Sequence, residues 1–170
     1  MSLETVKAFF AVHAPDLDVI ETAKISATVA EAAAAHAVEP DQIAKTLSFQ
    51  IGDRIVLVVT SGTARIDNAK AKSVFGAKAT MLDRDTVERV TGHPVGGICP
   101  FGLPTPLPVY CDVSLRAHSV VIAAAGAVNA AVRIRPEQLA TITQAQWVDV
   151  CRDPDPAADV PSAVSVTLPS

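Results

Sequence analysis

Hydrophobic and polar positions alternate in several registers along this chain, and the changes of register mark its elements. Residues 3–12 carry apolar side chains at helical spacing. Thr28-Val29-Ala30-Glu31 is a capping box, in which the threonine and glutamate side chains satisfy free amides at a helix start, and it opens an alanine-rich stretch to Ala37. Both segments are predicted helices, and Pro40 predicts a further short one over residues 40–44. Residues 46–51 and 55–60 are β-rich runs separated by Gly52-Asp53, a pair suited to a tight hairpin. Lys45 thus falls where a helix hands over to a strand. Next come a helix over 68–75 ended by Gly76, a short strand over 79–82, and a helix over 85–91 with Asp85-Thr86-Val87-Glu88 as its cap. Residues 109–113, 120–124 and 131–134 read as strands, and 136–140 and 144–150 as short helices. Strands and helices in mixed order around a central hairpin predict an α+β fold with a single mixed, partly open β-sheet flanked by helices.

Between the last of the early helices and the next strand lies a different kind of segment. Residues 91–108, T-G-H-P-V-G-G-I-C-P-F-G-L-P-T-P-L-P, hold four of the eight glycines and five of the twelve prolines. Glycine permits positive φ and close approach, while proline fixes φ and removes a donor. Such a segment is a rigid loop that presents backbone amides.

At 170 residues, 49% of them hydrophobic, the chain can bury the core of one domain. We expect that domain over residues 1–152, with a Pro-rich C-terminal extension over 153–170. No apolar run reaches the roughly 18–20 residues of a membrane span, and the first ten residues lack a secretory pattern. Three widely spaced cysteines suit reduced thiols, so the expectation is a cytoplasmic protein with no membrane partner. A net charge of −4 argues against a general nucleic-acid binder and against DNA, yet residues 45–89 carry eight bases and five acids. That excess is either an ordinary solvated surface or a footprint for phosphates built from Arg54, Arg65, Lys70, Lys72 and Lys78.

The familiar catalytic arrangements are missing. There is no G-x-S-x-G elbow, no Walker or dinucleotide loop, and no His or Cys spacing for a metal, so neither a metal nor a cofactor is expected. Cys99 with His93 as base would make a thiol nucleophile, but a small apolar thiol between Ile98 and Pro100 also reads as packing. What remains is one lysine at the front of an apolar run, a set of loop amides and a phosphate-friendly face. Lys45 has its own plainer reading, a snorkelling side chain at a strand edge.

Ala44-Lys45-Thr46-Leu47, Ser61-Gly62, Thr91-Gly92, the Gly96-x-x-x-Pro100-Phe101-Gly102 loop, Asp112-Val113-Ser114-Leu115 and the apolar strand ending at Gly126 resemble the YbaK/ProX family, relatives of the editing insertion of bacterial prolyl-tRNA synthetase. The similarity runs in consistent order over about residues 23–150. It implies a trans-editing aminoacyl-tRNA deacylase that hydrolyses the ester of mischarged tRNA, tRNA(Pro) first, with prolyl-tRNA synthetase as a candidate partner. An activated ester can be cleaved by positioning and charge stabilisation without a protein nucleophile. The matching lysine is Lys45, which would orient the substrate carbonyl or a neighbouring phosphate. Thr46 and Ser61 would line the substrate site, and Gly96, Gly97, Ile98, Cys99, Pro100, Phe101 and Gly102 would hold the terminal adenosine and polarise the ester.

Cysteine-removing members carry a serine and an acid where this chain aligns Ala124 and Ala131. A pocket edged by Ile98, Ala124, Ala125 and Gly126 then favours a small, weakly polar amino acid: alanine, 2-aminobutyrate or serine. Arg65, Asn68, Lys70, Lys72 and His93 are the candidates for tRNA contact, although Asp67-Asn68 also reads as a helix cap and His93 as packing in the turn before Pro94. The alternative from another class is a non-catalytic tRNA- or synthetase-binding module.

Overall fold

The computed structural model describes residues 2–152. Its elements follow the hydrophobic pattern closely: α1 (Ser2–His13), β1 (Val19–Glu21), α2 (Val29–His36), β2 (Ile43–Ile51), β3 (Arg54–Ser61), α3 (Asn68–Phe75), β4 (Ala79–Met81), α4 (Arg84–Thr91), β5 (Val109–Asp112), β6 (Val121–Ala124), β7 (Ala130–Ile134), α5 (Pro136–Thr143) and β8 (Gln146–Val148). The strands form one mixed sheet in the order β1-β7-β6-β2-β3-β5-β8, with β4 as an extra partner of β2. The fold is α+β with a mixed, unclosed sheet. The expected extension beyond Arg152 lies outside the described residues.

The β2–β3 hairpin is the centre of the sheet, with Ile51 opposite Arg54 across Gly52-Asp53. Side chains alternate faces along a strand. Ala44, Leu57 and Val59 therefore join Val121, Ala123, Val132 and Ile134 on one face, which is roofed by Val6 and Phe10 of α1 and Leu139 and Ala140 of α5. The opposite face carries two smaller clusters. Ala33 of α2 covers Ile43, Ile122 and Ala131, while Ala71 and Phe75 of α3 cover Phe49, Ile51, Val56 and Val58. Lys45 stands opposite Thr60 in the hairpin register, on this second face and between the two clusters. A charge there avoids both apolar patches.

Several local expectations give way to better-placed signals. Residues 40–42 form only a 3₁₀ turn, so β2 begins at Ile43 and Lys45 is inside the strand rather than at its entry. The cap of α4 is Asp83, whose carboxylate accepts the Thr86 amide at 2.8 Å, two residues before the expected Asp85. The helix expected over 144–150 is strand β8: Gln144 takes φ +57 and ends α5, and Trp147 then pairs with Cys111 and stacks under the Arg116 guanidinium at 3.8 Å. The short β1, which pairs with β7, carried too little pattern to be read.

Candidate functional site

Lys45 is held by main chain. Its Nζ donates to the carbonyl oxygens of Ala64, at 2.7 Å, and Gly62, at 3.3 Å, both in the loop after β3. An ammonium has three N–H donors, so one is left for a ligand. The Gly62 carbonyl is fixed by close approach: a Cβ at this position would lie 2.2 Å from the Pro40 carbonyl oxygen and 2.7 Å from a Val29 methyl. Only glycine lets the loop pass between the 3₁₀ turn and α2. Burial lowers the Lys45 pKa from the ordinary lysine value; Cys151 opposes that shift and Arg65 reinforces it. The Cys151 thiol is itself pushed up to about 12, chiefly by burial. It is neutral near pH 7, so burial and Arg65 are what act on Lys45 there.

Beside Lys45 and Thr46 opens a cavity of about 240 Å³. Ile43, Ile122, Ala124 and Ala131 make an apolar floor, and α2 supplies one wall through Thr28, Val29, Ala32 and His36. Gly96, Ile98, Val128 and Asn129 close the far side. Gly97 is the second place where a side chain is forbidden, because a Cβ would sit 2.7 Å from the Ala127 amide nitrogen. The Gly126 amide donates to the Gly97 carbonyl at 3.1 Å and ties the two loops together.

Of the residues expected at the substrate site, Lys45, Thr46, Gly96, Ile98 and Ala124 come together on the cavity, and Ala131 joins them. Strand alternation sends Ala125 the other way, into the main core, and Gly126 packs against the start of α1. Cys99, Pro100 and Phe101 are buried beneath the loop, the Phe101 ring packing at a tilt of 57° on Phe10 with centroids 4.8 Å apart. Gly102 packs on α1, where a Cβ would lie 2.8 Å from the Thr5 carbonyl oxygen. This half of the loop is a support for the cavity wall rather than part of it. Ser61 is also buried; its Oγ donates to the Asp41 carbonyl at 2.8 Å and its amide to Ser114 Oγ at 3.1 Å.

His93 is 1% exposed, which leaves no surface for RNA. Its Nε2 lies 2.7 Å from the Phe101 carbonyl, which can only accept, so Nε2 carries the proton and Nδ1 accepts from Ser2 Oγ. The ring pins the loop to α1, and burial lowers its pKa against the effect of the Phe101 bond. Cys99 lies 3.5 Å from the same nitrogen, whose proton is already committed. Burial pushes the Cys99 thiol up to about 12. A thiolate–imidazole nucleophile is excluded by this arrangement.

The remaining tRNA candidates lie along the 62–72 segment. Arg65, Asn68 and Lys72 are exposed, and Lys70 Nζ donates to Asp149 at 3.2 Å and to the Cys151 carbonyl at 3.0 Å. Asp67 caps α3, accepting the amides of Ala69 and Lys70 at 3.0 Å each. The α2 wall, with His36, and the Val128-Asn129 wall were not foreseen; the capping box marked the helix but not which side of it faces the sheet. Burial and Arg133 lower the His36 pKa, so its imidazole is neutral at pH 7.

Among the described residues no helix is long and apolar enough to cross a membrane, and no cluster of three potential metal ligands occurs. Residues 24–142 match the family model of the aminoacyl-tRNA editing domain. The chain is 43% identical over 155 residues to the uncharacterized protein YwhH of Bacillus subtilis (strain 168), covering 90% of this chain and 99% of that one. It is 28% identical to EbsC of Enterococcus faecalis (strain ATCC 700802 / V583), a proposed Cys-tRNA(Pro)/Cys-tRNA(Cys) deacylase, over 66% of this chain and 70% of that one. A crystal structure of a proposed trans-editing enzyme for prolyl-tRNA synthetase superimposes with a TM-score of 0.83 at 33% identity, covering 89% of this chain and 98% of that one. With a lysine-bearing cavity, a matching fold and a family match over most of its length, this chain belongs to the aminoacyl-tRNA editing domain family.

Proposed function

We propose that the protein is a trans-editing hydrolase that cleaves the ester of mischarged aminoacyl-tRNA, with tRNA(Pro) carrying alanine, 2-aminobutyrate or serine as its substrate. The observation that carries this reading is the single remaining N–H of Lys45, held by two carbonyls at the edge of a small cavity with an apolar floor. The amino-acid side chain enters the cavity, and Ala124 and Ala131 offer it no polar partner. The Lys45 donor meets the ester carbonyl oxygen, or the phosphate beside it, and stabilises the negative charge that develops there.

Water, or the ribose 2′-hydroxyl ahead of water, adds to the carbonyl carbon. In the hydrolytic step the C–O bond to the ribose breaks, and the proton given up by the attacking water passes to the released ribose oxygen, freeing the amino acid. Gly96 and Ile98 are the loop positions on the cavity, so the loop's part in holding the terminal ribose falls to them. No protein nucleophile is needed. Such a reaction belongs in the cytoplasm, with prolyl-tRNA synthetase as the natural source of the substrate.

The test is deacylation of tRNA(Pro) charged in turn with alanine, 2-aminobutyrate, serine, cysteine or proline, by wild type and Lys45→Ala. Release of one small residue, reduced about 10²- to 10³-fold in the variant, is the expected outcome for loss of one charge-stabilising donor. Release from no species would favour a binding module instead.

A further inference from the structure

The segment that carries the carbonyl partners of Lys45 continues into an unusual pairing. Ile66 and Cys151 form an isolated antiparallel bridge, flanked by hydrogen bonds from the Arg152 amide to the Arg65 carbonyl and from the Asp67 amide to the Val150 carbonyl, each 2.8 Å. This register sets Arg65 directly opposite Arg152, both exposed. Like charges directly opposite in an antiparallel pair are destabilising. Nothing nearby offsets them among the described residues. The Asp149 carboxylate is bonded to Lys70 and that of Asp67 to two α3 amides, while Asp112 takes the amides of Ser114 and Val150. Arg65 follows directly on Ala64, the residue whose carbonyl holds the Lys45 ammonium, and its charge reaches Lys45.

Two exposed arginines opposite one another in the backbone register, with no carboxylate bonded to either among the described residues and Arg65 one residue from the anchor of Lys45, make a receptor for a doubly coordinated oxyanion. We propose that Arg65 and Arg152 form a clamp for a backbone phosphate in the single-stranded 3′ end of the RNA substrate. The proposal rests on the reading of Lys45 as the group at the ester, since the nearest phosphate then lies one ribose away. Arg152, from the far end of the domain, thereby joins a site otherwise built from residues 22–131. The clamp recognises the sugar–phosphate chain and not a base, so it serves any tRNA ending in the same single-stranded tail.

Binding of an uncharged acceptor-stem RNA hairpin with a CCA end, followed by fluorescence anisotropy over a range of salt, tests this without relying on turnover. Arg65→Gln and Arg152→Gln are each expected to weaken binding about tenfold. The double variant should lower the slope of log K against log salt by about 0.7, the value for one phosphate contact on a single strand. Arg135→Gln, an exposed arginine at the start of α5, should change neither, and a hairpin lacking the CCA tail should be insensitive to the double variant. The thermal midpoint of the double variant should equal or exceed that of wild type, because a repulsion has been removed; a merely structural pair would lower it.

Unchanged affinity and slope in the double variant, an equal loss with Arg135→Gln, or no salt-dependent binding by wild type would overturn the clamp. Deacylation measured on the same preparations separates the two readings. Arginine-dependent binding without amino-acid release keeps the clamp and removes the hydrolase, whereas release with unaltered KM in the double variant does the reverse.

Discussion

Replacing Gly62 by alanine tests how Lys45 is positioned without touching Lys45 itself. The added Cβ would lie 2.2 Å from the Pro40 carbonyl oxygen and 2.7 Å from Val29 Cγ1, and a real Cβ essentially never comes within 3.0 Å of either kind of atom. The valine methyl can rotate away, but the Pro40 oxygen belongs to the backbone of a 3₁₀ turn. The loop must therefore retreat by roughly an ångström, taking with it a carbonyl that is 3.3 Å from Lys45 Nζ. Overpacking of this kind costs about 1–3 kcal/mol. In a domain of this size that is a fall of about 2–12 °C in Tm. A displacement of about 1 Å in a positioning group costs on the order of 10²-fold in rate.

The assay is kcat/KM for release of the preferred amino acid alongside a thermal melt, with Gly76→Ala as the control. Gly76 follows α3, at φ +80, and has nothing within 4 Å of a Cβ. That control should lose stability through backbone strain alone, by about 1 kcal/mol, and keep its activity. A folded Gly62→Ala enzyme with wild-type kcat/KM would show that the Gly62 carbonyl does not set the lysine, and the positioning argument would fall.

Three further outcomes are expected. Cys99→Ala should keep deacylation within a few fold, and native protein should resist alkylation at this position near pH 8, since the thiol is sealed and pushed up to about 12; a folded but inactive variant would revive the thiol mechanism. His93 has its folded pKa lowered by burial, so the unfolded chain binds more protons between that value and 6.5, and its contribution to stability is complete above 6.5 and lost as pH falls through the window. Melts from pH 7.5 downward should show Tm dropping below pH 6.5 with a slope that His93→Gln reduces; an unchanged slope in the variant would contradict the assignment. Ala124→Val narrows the apolar floor and should disfavour 2-aminobutyrate relative to alanine by about 10- to 200-fold, the usual worth of one methylene in a pocket. Equal loss for both substrates, measured as the ratio of kcat/KM, would place Ala124 away from the side-chain pocket.

Most of the scaffold was legible because its signals are local. A capping box, a Gly-Asp hairpin and the glycine after α3 fix boundaries from a few residues, and each is present where the pattern put it. Lys45 was legible too, as a charge in an apolar run. The failures arise where a long-range partner decides. Residues 146–148 become a strand because β5 is there to pair with, and Val19–Glu21 because β7 is. The same holds for the site. Nothing within residues 96–102 distinguishes Gly96 and Ile98, which reach the cavity, from Cys99 and Phe101, which α1 covers from behind. His93 stood open between RNA contact and packing in its turn; Ser2, ninety-one residues away, decides for packing and makes it a buried strut. Ala124 and Ala125 could not be separated without knowing which face of β6 is roofed.

That division of the sheet into two faces bears on how such a protein can change. The roofed face holds the continuous core, whereas the cavity draws on the opposite face, between two small patches that α2 and α3 cover separately. Adjacent residues such as Ala123 and Ala124 consequently answer to different demands, one to packing and the other to the shape of the cavity. Under the proposed function, exchanges at residues 98, 124 or 131 would retune which amino acid is admitted while the roofed core stays intact. On that reading, a lineage facing a new charging error would find its specificity on the face that the main core does not occupy.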